Sequence, residues 1–82
     1  MSKNRPSKNF LREQVTLALH EYFSKLEGEA ACDIYAMVLA EVEAPLLEIV
    51  MQYANGNETR AAQWLGLNRG TLRKLLAKYG LE

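Results

Sequence analysis

The sequence has little that could cross-link the chain, cross a membrane or direct secretion. Cys32 is its only cysteine, which excludes an internal disulfide and is typical of a reducing compartment. No apolar run approaches the ~20 residues that a membrane-spanning helix needs. The N-terminal cations are not followed by the apolar segment of a secretory signal. We therefore expect a cytoplasmic protein with no membrane partner.

Motifs for catalysis and for cofactor binding are absent as well. There is no glycine-rich phosphate loop, no nucleophile motif and no second His or Cys at metal-ligand spacing from His20. Glu41, Glu43 and Glu48 are not accompanied by any motif that would bind a substrate. The sequence therefore predicts neither an enzyme nor a bound cofactor or metal.

Alternating, strand-like runs are also missing, whereas leucine, alanine, glutamate and lysine are frequent and favour helix. Four periodic segments predict an all-α chain with four helices. Their expected bounds are Asn9 or Phe10 to Leu26, Asp33 to Ala54, Glu58 to Leu65, and Arg69 to Tyr79. The expected N-caps are Ser7 or Asn9, Asp33, Asn57 and Asn68. Gly28 and Gly80 are placed to end the first and the last helix.

The second predicted helix is apolar on more than one side, so it should be buried on more than one side. Two helices of so short a chain cannot cover each other that completely, and we infer that a second copy packs against them in a homodimer. Pro45 lies inside the pattern, and we expect a kink there because proline lacks the amide donor and its ring crowds the preceding turn. The alternative is two helices that meet at Pro45, but no turn residue adjoins it. The chain then divides into a flexible arm (1–9), dimerisation helices (10–54) and a C-terminal region with two short helices (55–82).

A net charge of zero hides a strong segregation of charge along the chain. Residues 13–58 carry nine acidic side chains against Lys25 alone. Residues 59–80 carry five cations and no acid, and residues 1–12 carry four cations and no acid. A solvated face explains the N-terminal cations as well as a binding role does. The C-terminal cations coincide with a recognisable motif.

That motif is a helix-turn-helix. Gly66 marks a tight turn, Ala61 and Ala62 are small enough for two helix backbones to cross closely, and Leu72 and Leu76 share a packing face. The remaining arc of the last helix, here named the cation arc, consists of Arg69, Gly70, Thr71, Arg73, Lys74, Ala77 and Lys78. The second helix of such a motif enters the major groove, which predicts double-stranded DNA as the partner.

Eight polar side chains are the predicted DNA contacts. Arg69 can bridge O6 and N7 of guanine, and Asn68 can reach a base edge or a phosphate while it caps the last helix. The others suit phosphate oxygens, and the start of the third helix favours anions. The full set is Asn57, Thr59, Arg60, Asn68, Arg69, Thr71, Arg73 and Lys74. We expect Gly70 to allow close backbone approach, and Trp64 to pack against the long helix, with partial exposure as the alternative.

Two runs, VLAEVEAPLLEIVMQYANGNETRAA and GLNRGTLRKLLAKYG, closely resemble the Fis family of bacterial nucleoid proteins, and the likeness covers roughly residues 10–81. The resemblance implies a homodimer whose first two helices from each subunit interlace into a four-helix core. The two recognition helices would lie closer together than the ~34 Å major-groove repeat, so the DNA must bend. It also implies sequence-tolerant binding, nucleoid association and transcription regulation, with base contacts at Asn68 and Arg69.

The chain departs from the family pattern in three places. About nine residues precede the first predicted helix, whereas the best-known members have a longer arm that activates DNA invertases, an activity we do not expect here. Leu75 and Ala77 stand where lysines are common, which should weaken contacts to flanking DNA. At the turn that can touch RNA polymerase in the family, Asn55 and Glu58 stand in place of more basic or neutral residues. RNA polymerase is a further candidate partner. The alternative functions are a local repressor with few sites and a helical protein–protein adaptor.

Overall fold

The computed structural model describes residues 8–82, which form four helices and no strand. The helices are α1 (Lys8–Ser24), α2 (Ile34–Tyr53), α3 (Glu58–Leu65) and α4 (Arg69–Lys78). This confirms the predicted all-α fold with four helices. Two units divide the chain, one ending at Cys32 and the other spanning Asp33–Glu82.

The first unit contains α1. Because α1 begins at Lys8, Asn9 lies inside its first turn and not at the N-cap position before it. Ser7, the other candidate cap, lies with the rest of residues 1–7 of the predicted arm outside the described residues. The helix ends two residues before the predicted Leu26, and a turn follows in which Gly28 has a φ of 91°.

The second unit begins with α2, which passes through Pro45 without a break. The prediction of one helix in place of two is confirmed, and the kink stays a prediction. Asp33 is the N-cap residue, but its side chain makes no capping hydrogen bond, which corrects the expected role. Its backbone is left-handed, with a φ of 52°, whereas a capping side chain normally stands on extended backbone.

Small and branched apolar side chains form the core of the second unit. Its buried members are Leu47, Ala54, Ala61, Ala62, Leu72 and Leu76. The half-buried side chains of Val50, Met51, Leu65, Leu75, Tyr79 and Leu81 pack around them. Because alanines occupy three of these six positions, the backbones of α2, α3 and α4 can approach closely, as predicted for Ala61 and Ala62. Ala54, at the end of α2, is a core residue that the sequence patterns did not indicate.

The long helix α2 has three distinct faces. Leu47, Val50, Met51 and Ala54 face the core of the unit. A row of exposed apolar side chains, here named the apolar stripe, consists of Tyr35, Leu39, Val42, Leu46, Ile49 and Tyr53. Its members recur at alternating steps of four and three residues, which places them along one side of the helix. Glu41, Glu48 and Gln52 occupy the remaining, polar side.

Candidate nucleic-acid interface

The helix-turn-helix is built around Gly66, which ends α3 with a φ of 76°. At this left-handed angle the Gly66 amide donates to the carbonyl of Gln63 at 3.2 Å and the Leu67 amide donates to that of Ala62 at 2.9 Å. Only glycine adopts this conformation at little cost, so the turn satisfies the last carbonyls of α3 and reverses the chain within a few residues. The turn residue predicted from the sequence is confirmed.

Both helices of the motif are capped by asparagine side chains, as predicted. Oδ1 of Asn57 accepts a hydrogen bond from the Arg60 amide at 3.0 Å, and Oδ1 of Asn68 accepts one from the Thr71 amide at 2.7 Å. Each cap satisfies a backbone donor that has no partner within its helix. Since the caps use the carbonyl oxygens, the amide NH₂ groups of both residues can donate to an acceptor such as a phosphate or a base edge.

The recognition helix α4 separates an apolar side from a cationic side. Leu72 and Leu76 are buried, and Leu75 and Tyr79 are half-buried beside them. Every member of the cation arc is exposed. The eight residues predicted to contact DNA are exposed as well. The core thus fixes the orientation of α4 and holds its cations toward solvent, where a polyanion could reach them.

An ion pair connects the cation arc to the start of α3. Nε of Arg73 donates to Oε1 of Glu58 at 2.9 Å. This hydrogen bond, together with the charge of the carboxylate, raises the pKa of the Arg73 guanidinium above its ordinary value. The pair therefore links the first residue of α3 to α4, the two helices that carry the predicted contacts.

The C-terminal end of α4 is attached to α2 by a second polar contact. The hydroxyl of Tyr79 donates to Oε1 of Glu43. The hydrogen bond raises the pKa of Tyr79, with burial and the negative charge of Glu43 as the further causes. Nζ of Lys78 lies 5.4 Å from the centre of the Tyr79 ring, within the range of a cation–π interaction. The hydrogen bond to Glu43 therefore fixes the C-terminal end of the recognition helix on α2.

Gly70 has no steric reason within the chain to be glycine. It lies in α4 with an ordinary helical backbone, and a Cβ there would meet only Oδ1 of Asn68, at 3.4 Å. Glycine costs a helix interior about 0.5–1 kcal/mol relative to alanine. Open space beside an exposed backbone agrees with the prediction that Gly70 allows the close approach of a ligand.

Trp64 is not part of the core of the second unit, which corrects the expectation for this residue. Its side chain is 56% exposed on α3, so the alternative of partial exposure is the one observed. The neighbouring Leu65 carries the packing in its place, since it lies against the core. One position along a helix rotates a side chain by about 100°, which is enough to exchange burial for exposure.

The part of the chain that the structure describes contains no group of three or more His, Cys, Asp and Glu side chains that could hold a metal ion. Within residues 8–82, no helix combines the length and the apolar character that crossing a membrane requires.

Comparison with known proteins shows which family has this helix-turn-helix. Residues 38–79, which include α3, α4 and most of α2, match the model of a family described as bacterial regulatory protein, Fis family. The chain is 61% identical over 72 residues to DNA-binding protein Fis of Actinobacillus succinogenes, covering 88% of this chain and 73% of the relative. It is 55% identical over 81 residues to the protein of the same name from Proteus mirabilis, covering 99% of this chain and 83% of that relative. It belongs to the Fis family.

The family match extends over the whole motif described above. The core of the second unit and all eight predicted contacts lie within residues 38–79 of this Fis-family chain. The relative from Yersinia enterocolitica, DNA-binding protein Fis, is 54% identical over 81 residues, 99% of this chain and 83% of its own length. The similarity to these relatives thus includes α1, which lies outside the family model.

Sequence reasoning missed two residues of this site. The sequence patterns place Glu58 only in a turn and Glu43 only among carboxylates without a substrate-binding motif, whereas the structure pairs Glu58 with Arg73 and Glu43 with Tyr79. The signal available for Glu58 was its position, since it is the last acid before a segment of 22 residues, 59–80, that has none. No local pattern pointed to the pairing of Glu43 with Tyr79.

Proposed function

We propose that this chain is a DNA-binding transcription regulator that inserts α4 into the major groove. One observation carries the proposal: the exposed side of α4 has four cations and no acid, and it lies opposite two buried leucines on a helix that is capped by Asn68. The negative charge density of duplex DNA makes such a surface a binding site even before any base is read. The name shared by the relatives, DNA-binding protein Fis, supports the same function.

The proposed contacts divide into base-reading and phosphate-binding groups. Arg69 lies in the first turn of α4, where a guanidinium can donate two parallel hydrogen bonds to guanine, and the amide NH₂ of Asn68 adjoins it. The remaining groups would bind phosphates and set the register of the protein on the duplex. They are Thr71, Arg73 and Lys74 of α4, together with Asn57, Thr59 and Arg60 at the start of α3.

We further propose that the chain acts as a homodimer. The apolar stripe of α2 follows the heptad spacing by which helices pack on one another, and it is exposed along the full length of the helix. The first unit also exposes large apolar side chains, among them Leu11 at 71%. Apolar surface on this scale favours burial against a partner. A second copy supplies the complementary stripe, because the same heptad pattern recurs on it.

DNA bending and a role in nucleoid organisation follow from this dimer. Two base-reading residues in each subunit specify few base pairs, so many sites would be accepted. In a dimer whose recognition helices are held at a fixed separation, the duplex must deform to meet both, and its deformability then contributes to site preference. A sequence-tolerant protein that bends DNA at many sites suits both chromosome organisation and the regulation of transcription.

The test is the affinity of Arg69→Ala for short duplexes with an A/T-rich centre, measured by gel mobility shift. We expect the loss of a two-pronged base contact to weaken binding about ten-fold or more. Lys25→Ala is the control, because it removes the same charge from the ion pair with Glu21 in α1. Equal affinity for Arg69→Ala and the wild-type chain would overturn the base-reading role, and no binding by the wild-type chain would overturn the function.

A further inference from the structure

The free chain already holds Arg73 in an ion pair. Its Nε lies 2.9 Å from Oε1 of Glu58, and the two side chains are 63% and 32% exposed. Glu58 is the first residue of α3 and directly follows Asn57. It therefore lies among the eight proposed DNA contacts, none of which is acidic. A carboxylate in this place opposes the charge of the surface around it.

This ion pair changes what Arg73 can contribute to the binding of a phosphate. A phosphate must either displace Glu58 from Arg73 or bind the remaining guanidinium N–H groups with the carboxylate close by. The first route leaves the carboxylate without its partner. The second route brings two negative groups onto one cation, where they repel each other. Either route makes the new contact weaker than one made by an unpaired arginine.

We propose that Glu58 holds down the affinity of this chain for DNA by competing with a phosphate group for Arg73. The inference rests on the proposed function and names a residue that limits it. The position of Glu58 strengthens the competition, because the dipole and the free amides at the start of α3 also attract an anion. Glu58 thus offsets both the charge of Arg73 and the attraction of the α3 N-terminus for a phosphate.

Salt dependence distinguishes this competition from a general effect of charge. Each phosphate that a protein cation neutralises steepens the slope of log affinity against log salt by about 0.9, because a counterion leaves the DNA. While Arg73 stays paired with Glu58, the carboxylate neutralises much of its charge, so Arg73 contributes little to this release. With glutamine at position 58, Arg73 has no anionic partner, and its phosphate contact contributes its full share to the slope.

The decisive variant is Glu58→Gln, which keeps the size of the side chain and an acceptor oxygen for Arg73 and removes only the charge. In anisotropy titrations of a labelled duplex, we expect affinity at low salt to rise roughly three- to ten-fold. Across a salt series the slope should steepen by about one per recognition helix. An unchanged or lower affinity for this variant would overturn the proposal.

Two controls assign the effect to the pair. Glu82 lines the same pocket of about 300 Å³ as Glu58 and Arg73, whereas the Arg73 Nε hydrogen bond goes to Glu58. Glu82→Gln should therefore change affinity by less than about two-fold. In a double-mutant cycle, Arg73→Ala should abolish most of the gain from Glu58→Gln. A gain that persists fully without Arg73 contradicts the competition. Failure of the folded wild-type chain to bind any duplex overturns the proposed function instead.

Discussion

The two units of the chain treat their apolar side chains in opposite ways. Residues 33–82 bury Leu47, Leu72 and Leu76 on one another around closely packed alanines. In α1, by contrast, Phe10 and Leu17 are more than half exposed, and none of residues 9–24 is buried. The recognition part of the molecule thus has its own core. We propose that a second copy of the chain covers the exposed apolar side chains of α1.

The long helix α2 combines both behaviours. One face contributes Leu47 to the internal core, and another presents the apolar stripe to solvent. The positions of the two recognition helices in a dimer would then depend on α2, since it carries both the core of the recognition part and the proposed contact between copies. Substitutions on the two faces should have different consequences, and this difference can be measured.

The largest effect is expected inside the core of residues 33–82. Leu72 is fully buried, and Leu72→Ala removes apolar contacts and leaves a cavity, at a cost of about 2–5 kcal/mol in the free energy of unfolding. Urea denaturation followed by circular dichroism measures this loss. Leu75→Ala on the same helix is the matched control, because Leu75 is only half-buried and should cost clearly less. Equal losses at both positions would contradict the assignment of the core.

Substitutions in the apolar stripe should affect folding less than those in the core, but they should clearly weaken the dimer. Ile49→Glu places a charge where the second copy is proposed to pack, and should raise the dissociation constant of the dimer about ten- to a hundred-fold. Equilibrium sedimentation measures the shift from dimer to monomer. Helical content at high protein concentration should change little, because Ile49 is 48% exposed in the single chain.

The polar face of α2 provides the control for this variant. Gln52→Glu adds the same charge three residues further along the helix, on the side shared with Glu41 and Glu48. It should leave the dimer intact. A wild-type chain that stays monomeric at all concentrations would favour a protein–protein adaptor, with the apolar stripe as its docking face, over a homodimer.

The features that were predictable from the sequence are those that depend on near neighbours along the chain. The bounds of α3, the caps at Asn57 and Asn68 and the turn at Gly66 each involve residues within about four positions of one another. The side-chain and backbone chemistry of such short segments determines their conformation. The buried side of α4 was predictable for a related reason, because the helical period alone places Leu72 and Leu76 together.

The features that the sequence does not predict depend on how the helices pack against one another. Glu58 and Arg73 are 15 residues apart, and Glu43 and Tyr79 are 36 apart, so no local period brings either pair together. The exposure of Trp64 likewise follows from the rotation of α3 in the packed unit. The left-handed backbone of Asp33 shows that a residue suited to capping need not cap when the connection before the helix turns the chain differently.

The smallest predicted effect concerns the contact that holds the end of α4 to α2. Tyr79 donates its hydroxyl proton to Glu43, and this hydrogen bond raises the pKa of Tyr79 above its ordinary value of about 10. The folded chain therefore keeps a proton that the unfolded chain releases at lower pH. The stabilisation is fully present below pH ~10 and is lost as the pH rises through the raised value.

Tyr79→Phe removes this contribution while keeping the ring. At fixed protein concentration we expect its Tm at pH 8 to lie a few degrees below that of the wild-type chain. This difference in Tm should shrink as the pH rises above ~10, because the Tyr79 hydroxyl of the wild-type chain then ionises and can no longer donate to Glu43. Glu41→Gln is the control, because Glu41 is exposed on the polar side of α2 and the hydroxyl of Tyr79 donates to Glu43. The hydrogen bond to Glu43 requires the hydroxyl proton of Tyr79. A Tm difference that stays constant from pH 8 to pH ~11 would therefore indicate that the ring packs differently in the variant.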